Sequence, residues 1–139
     1  MTDTRIFLPA LAMAGLTFVV WLRMYFSRIG EMKRERIHPQ AVATSPQMAA
    51  LLKDTRAADN FRNLFELPVL FYMALAVAAL SGQVTTLALV LAWLFVALRI
   101  LHSAIHCGCN KVIHRFYAYF AGGVVLWVLW GFLGFGLLH

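Results

Sequence analysis

Four stretches of this chain are too long and too apolar to be the core helices of a water-soluble domain: Ile6 to Phe26, a run starting before Glu66 and ending near Leu80, Val84 to Ile105, and Phe116 to Leu138. A hydrocarbon core needs about 20 helical residues to cross it, which each stretch supplies or nearly supplies. The composition agrees, with 62% hydrophobic residues, 13% charged residues and a mean hydropathy of +0.76. A chain of 139 residues then has room for one domain. The expected fold is all-α: a transmembrane four-helix bundle made of a single four-span membrane domain, residues 1–139. The first stretch offers the small residues Ala10, Ala12 and Ala14, as a cleaved leader would, but its apolar run continues through Val19, Val20 and Trp21, so it reads as a retained span.

Orientation follows from the basic residues. Arg28, Lys33, Arg34, Arg36, Lys53, Arg56 and Arg62 follow the first span, and Lys111 and Arg115 follow the third. On the other side stand Arg5 and the uncharged segment SGQVTT. The positive-inside rule puts both basic loops in the cytoplasm and both termini outside. The net charge of +6 is thereby a matter of topology, and no nucleic-acid partner is expected. Cys107 and Cys109 are two residues apart on the cytoplasmic side, where a structural disulfide is not expected.

Between the first and second spans lies a linker, roughly 27–45, that ends at Ser45 and Pro46. A capping residue followed by proline starts a helix. From there the spacing predicts one helix of about 35 residues or 50 Å, longer than the bilayer. Arg56, Asn60 and Asn63 recur along it at i, i+4 and i+7, with Asp59 and Glu66 flanking the same face and Pro68 favouring a bend. A second polar stripe, Arg99, His102 and His106, follows the uncharged residues Val84 to Leu98. Ionisable groups at such depth turn inward, so Glu66 and Arg99 are expected to face the bundle, turned towards each other. Together with Asn110 and Arg115 these residues make a cluster suited to a polar ligand.

The residues EMKRERIHP after the first span, RAADN and NLFE in the second, and RILHSAIH leading to Arg115 resemble the membrane-associated proteins of eicosanoid and glutathione metabolism, the MAPEG family. The resemblance covers nearly the whole chain. It implies a homotrimer with glutathione as co-substrate between neighbouring subunits near the cytoplasmic face, and transferase or peroxidase chemistry on a lipophilic small molecule reaching the site from membrane lipid. By that resemblance Arg115 stabilises the glutathione thiolate. Arg34, Arg36 and Arg56 meet the tripeptide's carboxylates, Glu66 its ammonium and Asn60 or Asn63 its peptide groups, with Arg99, His102 and His106 completing the binding set. The sequence departs from the family pattern where Asn63 stands in place of a glutamate after RAADN, where Leu67 follows Glu66, and where His106 replaces a tyrosine.

Two other readings belong beside this one. His102 and His106 with Cys107, Cys109 and His114 have some spacing for a metal, but CGC is not the CxxC of a closed zinc site and no further Cys pair exists, so no metal is expected. A non-catalytic membrane subunit that packs on a larger complex or binds lipid is the alternative function. Gly122, Gly123, Gly131, Gly134 and Gly136 of the fourth span permit close helix approach in either case.

Overall fold

The computed structural model describes residues 3–139 and consists of helices joined by short turns. After a single 3₁₀ turn, Thr4–Ile6, come α1 (Phe7–Arg34), a second such turn (Pro39–Val42), α2 (Ser45–Leu51), α3 (Arg56–Asn63), α4 (Leu67–Leu80), α5 (Thr86–Cys107) and α6 (Val112–Leu138). Four helical units are long and apolar enough to cross a membrane: Thr4–Arg34, Arg56–Leu80, Thr86–Cys107 and Val112–Leu138. The all-α architecture expected from the sequence is therefore present, with four candidate spans among the described residues. The first span runs two turns further than the apolar pattern suggests, and the fourth starts at Val112 rather than Phe116.

The long second helix is broken twice, which corrects the expectation of one continuous rod. At Leu52 the backbone turns extended (φ −88°, ψ 121°), and the freed amides of Lys53 and Asp54 donate to the Glu31 carboxylate at 2.6 and 3.2 Å. A side chain from α1 thus supplies the acceptors that helical carbonyls would have given. The second break spans Leu64 to Glu66. Pro68 has no N–H and disfavours helix in the residue before it, so the chain tightens, with Phe65 N–H on the Arg62 carbonyl and Glu66 N–H on that of Asn63. Helix then restarts with Pro68 in the first turn of α4. Three pieces at different angles can aim their polar residues at different neighbours. One rod cannot.

The core lies where α4, α5 and α6 meet α1. Phe71 and Phe95 stack with centroids 4.5 Å apart, both wholly buried. Ala74, Ala78, Ala88 and Ala92 are small buried residues that let helices approach within one layer, and Leu126, Leu129 and Leu133 close it from α6. In lipid this close approach, not water exclusion, holds helices together. Phe18, Trp93, Trp127 and Phe135 remain on the perimeter, where a lipid-facing bundle keeps its apolar groups. The glycines of α6 divide. A methyl on Gly122 would touch Arg99 and Phe95, and one on Gly136 would collide with the Gln83 side chain, whereas Gly131 and Gly134 face open space. Contacts Arg23–Cys107, Arg56–Gly108 and Glu31–Lys53 gather both basic loops at one end of the bundle, and Gln83 meets Gly136 at the other.

Candidate functional site

The polar stripe on the second span splits at the break after α3. Arg56, on the first turn of α3, is clamped by Asp54, whose Oδ1 accepts from Nε at 2.9 Å, and Arg56 Nη1 donates to the Gly108 carbonyl at 2.7 Å. Arg56 beside it holds the Asp54 carboxyl below the ordinary carboxylate value. Asn60 is wholly buried; its Oδ1 accepts from the Ser103 hydroxyl at 3.3 Å and its Nδ2 donates to Cys107 Sγ at 3.5 Å. Arg56 and Asn60 therefore knit α3 to the end of α5.

Asn63 points elsewhere. With His102, Val112, Arg115, Phe116 and Tyr119 it lines a cleft of about 180 Å³ between α3, α5 and α6. Arg115 is half-buried there, and its Nη1 donates to Asn110 Oδ1 at 2.8 Å. Asn110 can reach back because its backbone is left-handed (φ 50°), a conformation asparagine tolerates better than most residues. One turn along α6, the Tyr119 hydroxyl donates to Glu66 Oε2 at 3.1 Å. Glu66 is thereby tied to the same cleft from the other side of the break. No ion pair joins Glu66 to Arg99 among the described residues.

Arg99 is wholly buried at the back of this group. Its Nη2 donates to the Asn63 carbonyl at 2.9 Å, and its guanidinium carbon lies 5.0 Å from the Tyr119 ring centroid and 5.9 Å from that of Phe95. Both distances fall within reach of a cation–π attraction. Nε and Nη1 have no partner among the described residues, nor do Nδ1 of His102 and of His106, whose rings are 5.6 Å apart. Such unpaired buried groups are expensive in a membrane and mark the neighbourhood as functional by default.

Of the residues singled out in the sequence, Asn63, His102 and Arg115 thus meet in one cleft, Glu66 and Arg99 join through Tyr119 and Asn63, and His106 meets His102 edge-on. Arg34 and Arg36 do not join it. Both are exposed at the end of α1, Arg34 beside Glu35 at 3.5 Å.

Sequence reasoning overlooked several residues. Tyr119 follows Arg115 by four, a helical spacing that would have put them on one face. Glu31 is buried although the surrounding sequence is charged, and nothing in its local pattern distinguishes it. A cleft of about 580 Å³, larger than the one of about 180 Å³ at Arg115, stands apart from it. It lies against α2 and α3 and is lined by the cations Arg28, Lys53 and Arg62 together with Asp54 and Asp59. Among the described residues no group of three or more His, Cys, Asp or Glu is placed to hold a metal ion.

The profile of the MAPEG family matches residues 6–135. No curated protein and no solved structure matched the chain.

Proposed function

The chain belongs to the MAPEG family, and from that premise we propose that this membrane protein binds glutathione near its cytoplasmic face and transfers the thiolate to lipophilic electrophiles dissolved in the bilayer. The observation that carries the reading is the Arg115 cleft. A glutathione thiol has a reference pKa near 8.5 and is mostly neutral at pH 7, whereas the nucleophile is the thiolate. Arg115 supplies a fixed cation at the first turns of α6, where the helix dipole also favours an anion. Asn63, His102 and Tyr119 offer hydrogen bonds around it, and Glu66 is a carboxylate within reach for the ammonium. Arg34, Arg36, Arg56, Asn60 and His106 belong to the proposed binding set by resemblance, Arg56 and Asn60 acting mainly by fixing α3.

A cleft of about 180 Å³ is small beside the roughly 300 Å³ at which small-molecule pockets begin. In this reading a second copy of the chain completes the site, as in the homotrimer, and the open face at Gly131 and Gly134 is available to a neighbouring helix. The single four-span domain, with basic loops cytoplasmic and termini outside, is part of the same proposal.

The test is glutathione binding by the purified protein in detergent, read as thermal stabilisation and as thiolate absorbance. Arg115→Ala is expected to lose the thiolate absorbance while the tripeptide still binds. Undiminished thiolate would remove Arg115 from the mechanism. Absence of any glutathione effect, with a stoichiometric partner co-purifying, would favour the non-catalytic subunit.

A further inference from the structure

Asn63 and Glu66 stand on the two edges of the break between α3 and α4, and one buried side chain holds both. In an unbroken helix the Asn63 carbonyl would take the Leu67 amide. Here it takes the Glu66 amide at 3.2 Å, in a tighter turn, and the Nη2 donor of Arg99 at 2.9 Å. A cation on the last carbonyl of a helix meets both an acceptor with spare capacity and the negative end of the helix dipole. Arg99 is thus a cap on α3 supplied from α5.

The second hold is indirect. The guanidinium carbon lies 5.0 Å from the centroid of the Tyr119 ring, whose hydroxyl donates to Glu66 Oε2 at 3.1 Å. The side chain is wholly buried and does not line the Arg115 cleft, whereas Asn63 and Tyr119 do. Its Nε and Nη1 find no partner among the described residues. An apolar residue of similar volume would fill this space without stranding donors, so packing alone does not account for a guanidinium here. What the guanidinium adds is a donor on Asn63 and a charge beside the Tyr119 ring.

We propose that Arg99 is a positioning residue of the glutathione site: it touches no part of the tripeptide, and it holds the Leu64–Glu66 break so that Asn63 and Glu66 are set around the Arg115 cleft. This rests on the proposed function, and it moves Arg99 out of the binding set that the family resemblance implies. Without the cap the turn has one tie fewer, and the residues on its edges sample other directions. Affinity then falls because the site is no longer preformed. Arg115 stands on α6 and is held by Asn110, so the thiolate of any glutathione that does bind keeps its counter-charge.

The experiment uses Arg99→Met, which keeps much of the side-chain volume without its donors, and Arg99→Lys, which keeps a charged donor. Full-length protein in lipid nanodiscs is compared by hydrogen exchange without ligand and by glutathione titration. In Arg99→Met the amides of residues 64–67 should exchange at least about tenfold faster than in wild type, with α5 and α6 unchanged. Glutathione should bind about tenfold more weakly, the scale of one charge-assisted hydrogen bond, while the thiolate absorbance per bound glutathione stays at the wild-type value. Arg99→Lys should return both exchange and affinity to within about threefold of wild type. Unchanged exchange at the break would overturn the proposal. So would a faster break with unaltered affinity, which leaves Arg99 a role in the fold alone. If Arg99→Met does not fold, Arg99→Gln is read against Arg99→Lys by the same two measurements and the same criteria. A wild-type protein that binds no glutathione would refute the proposed function and this role with it; an intact exchange contrast, obtained without ligand, would then separate that failure from a failure of the cap.

Discussion

Glu66→Gln separates two roles for a carboxylate at the edge of the hydrocarbon. If Glu66 were the partner of Arg99, neutralising it would strand a buried cation, at a cost of about 3 to 5 kcal/mol. The geometry gives a smaller figure. Glu66 is exposed, and its recorded side-chain partner is the Tyr119 hydroxyl at 3.1 Å, while Arg99 leans on the Asn63 carbonyl and two aromatic faces. Glutamine keeps an acceptor oxygen for Tyr119. What is lost is the difference between a charged and a neutral hydrogen bond, about 1 kcal/mol. Glu66→Gln should therefore unfold in a mixed-micelle denaturant titration within about 1 kcal/mol of wild type, and the double variant with Arg99→Gln should show a coupling of about 0.5 kcal/mol or less. In the proposed site the same change removes the counter-charge of the glutathione ammonium. Affinity should fall about 100-fold, the equivalent of 2 to 3 kcal/mol. A loss of about 3 kcal/mol that Arg99→Gln largely restores, with glutathione affinity intact, would refute this account and make Glu66 an internal clamp.

Glu31→Ala should leave the Lys53 and Asp54 amides without their acceptor, cost about 2 to 3 kcal/mol, and expose the 52–55 break to limited proteolysis. Asp54 sets a pH limit on the neighbouring clamp. Because Arg56 depresses its carboxyl, the pair contributes fully above the ordinary carboxylate value of 3.8 and is lost as pH falls through the lower native value. A carboxyl NMR titration of Asp54 should show its midpoint below about pH 3.8, with stability insensitive to this pair at neutral pH. For topology, cysteines placed at Lys33 and Lys111 should label from the cytoplasmic side and one at Gln83 from the opposite side; a probe at Thr2, also expected outside, lies outside the described residues. Labelling of Lys33 and Gln83 positions from one side would end the four-span proposal.

The spans were legible because apolar length is a one-dimensional quantity, and no packing detail is needed to see that Val84 to Leu98 belongs in hydrocarbon. The polar stripes were legible as periodicities. What periodicity could not supply was the continuity of the second helix, since its stripe assumes one unbroken rod. The amides that allow the break at Leu52 are satisfied by Glu31, more than 20 residues earlier in sequence, and a local pattern has no access to such a partner. Once the rod is divided, Glu66 leaves the piece that carries Arg56, Asn60 and Asn63, and residues that stay together on α3 meet different neighbours. Asn60 turns to Ser103 and Cys107, Asn63 turns to Arg115, and Glu66 reaches Tyr119 instead of Arg99.

One unbroken short helix, α3, carries residues of two different neighbourhoods. Asn60 and Asn63 are three residues apart and would point along nearly the same face of α3. The tight turn through Asn110, which joins α5 to α6, brings Arg115 and Tyr119 around to the side of Asn63. The side of Asn60 is left to α1, whose Arg23 meets the Cys107 carbonyl. In the proposed function the thiolate chemistry belongs to the Arg115 side of α3, so Arg23→Ala should loosen the end of α5 and leave the thiolate absorbance of bound glutathione unchanged.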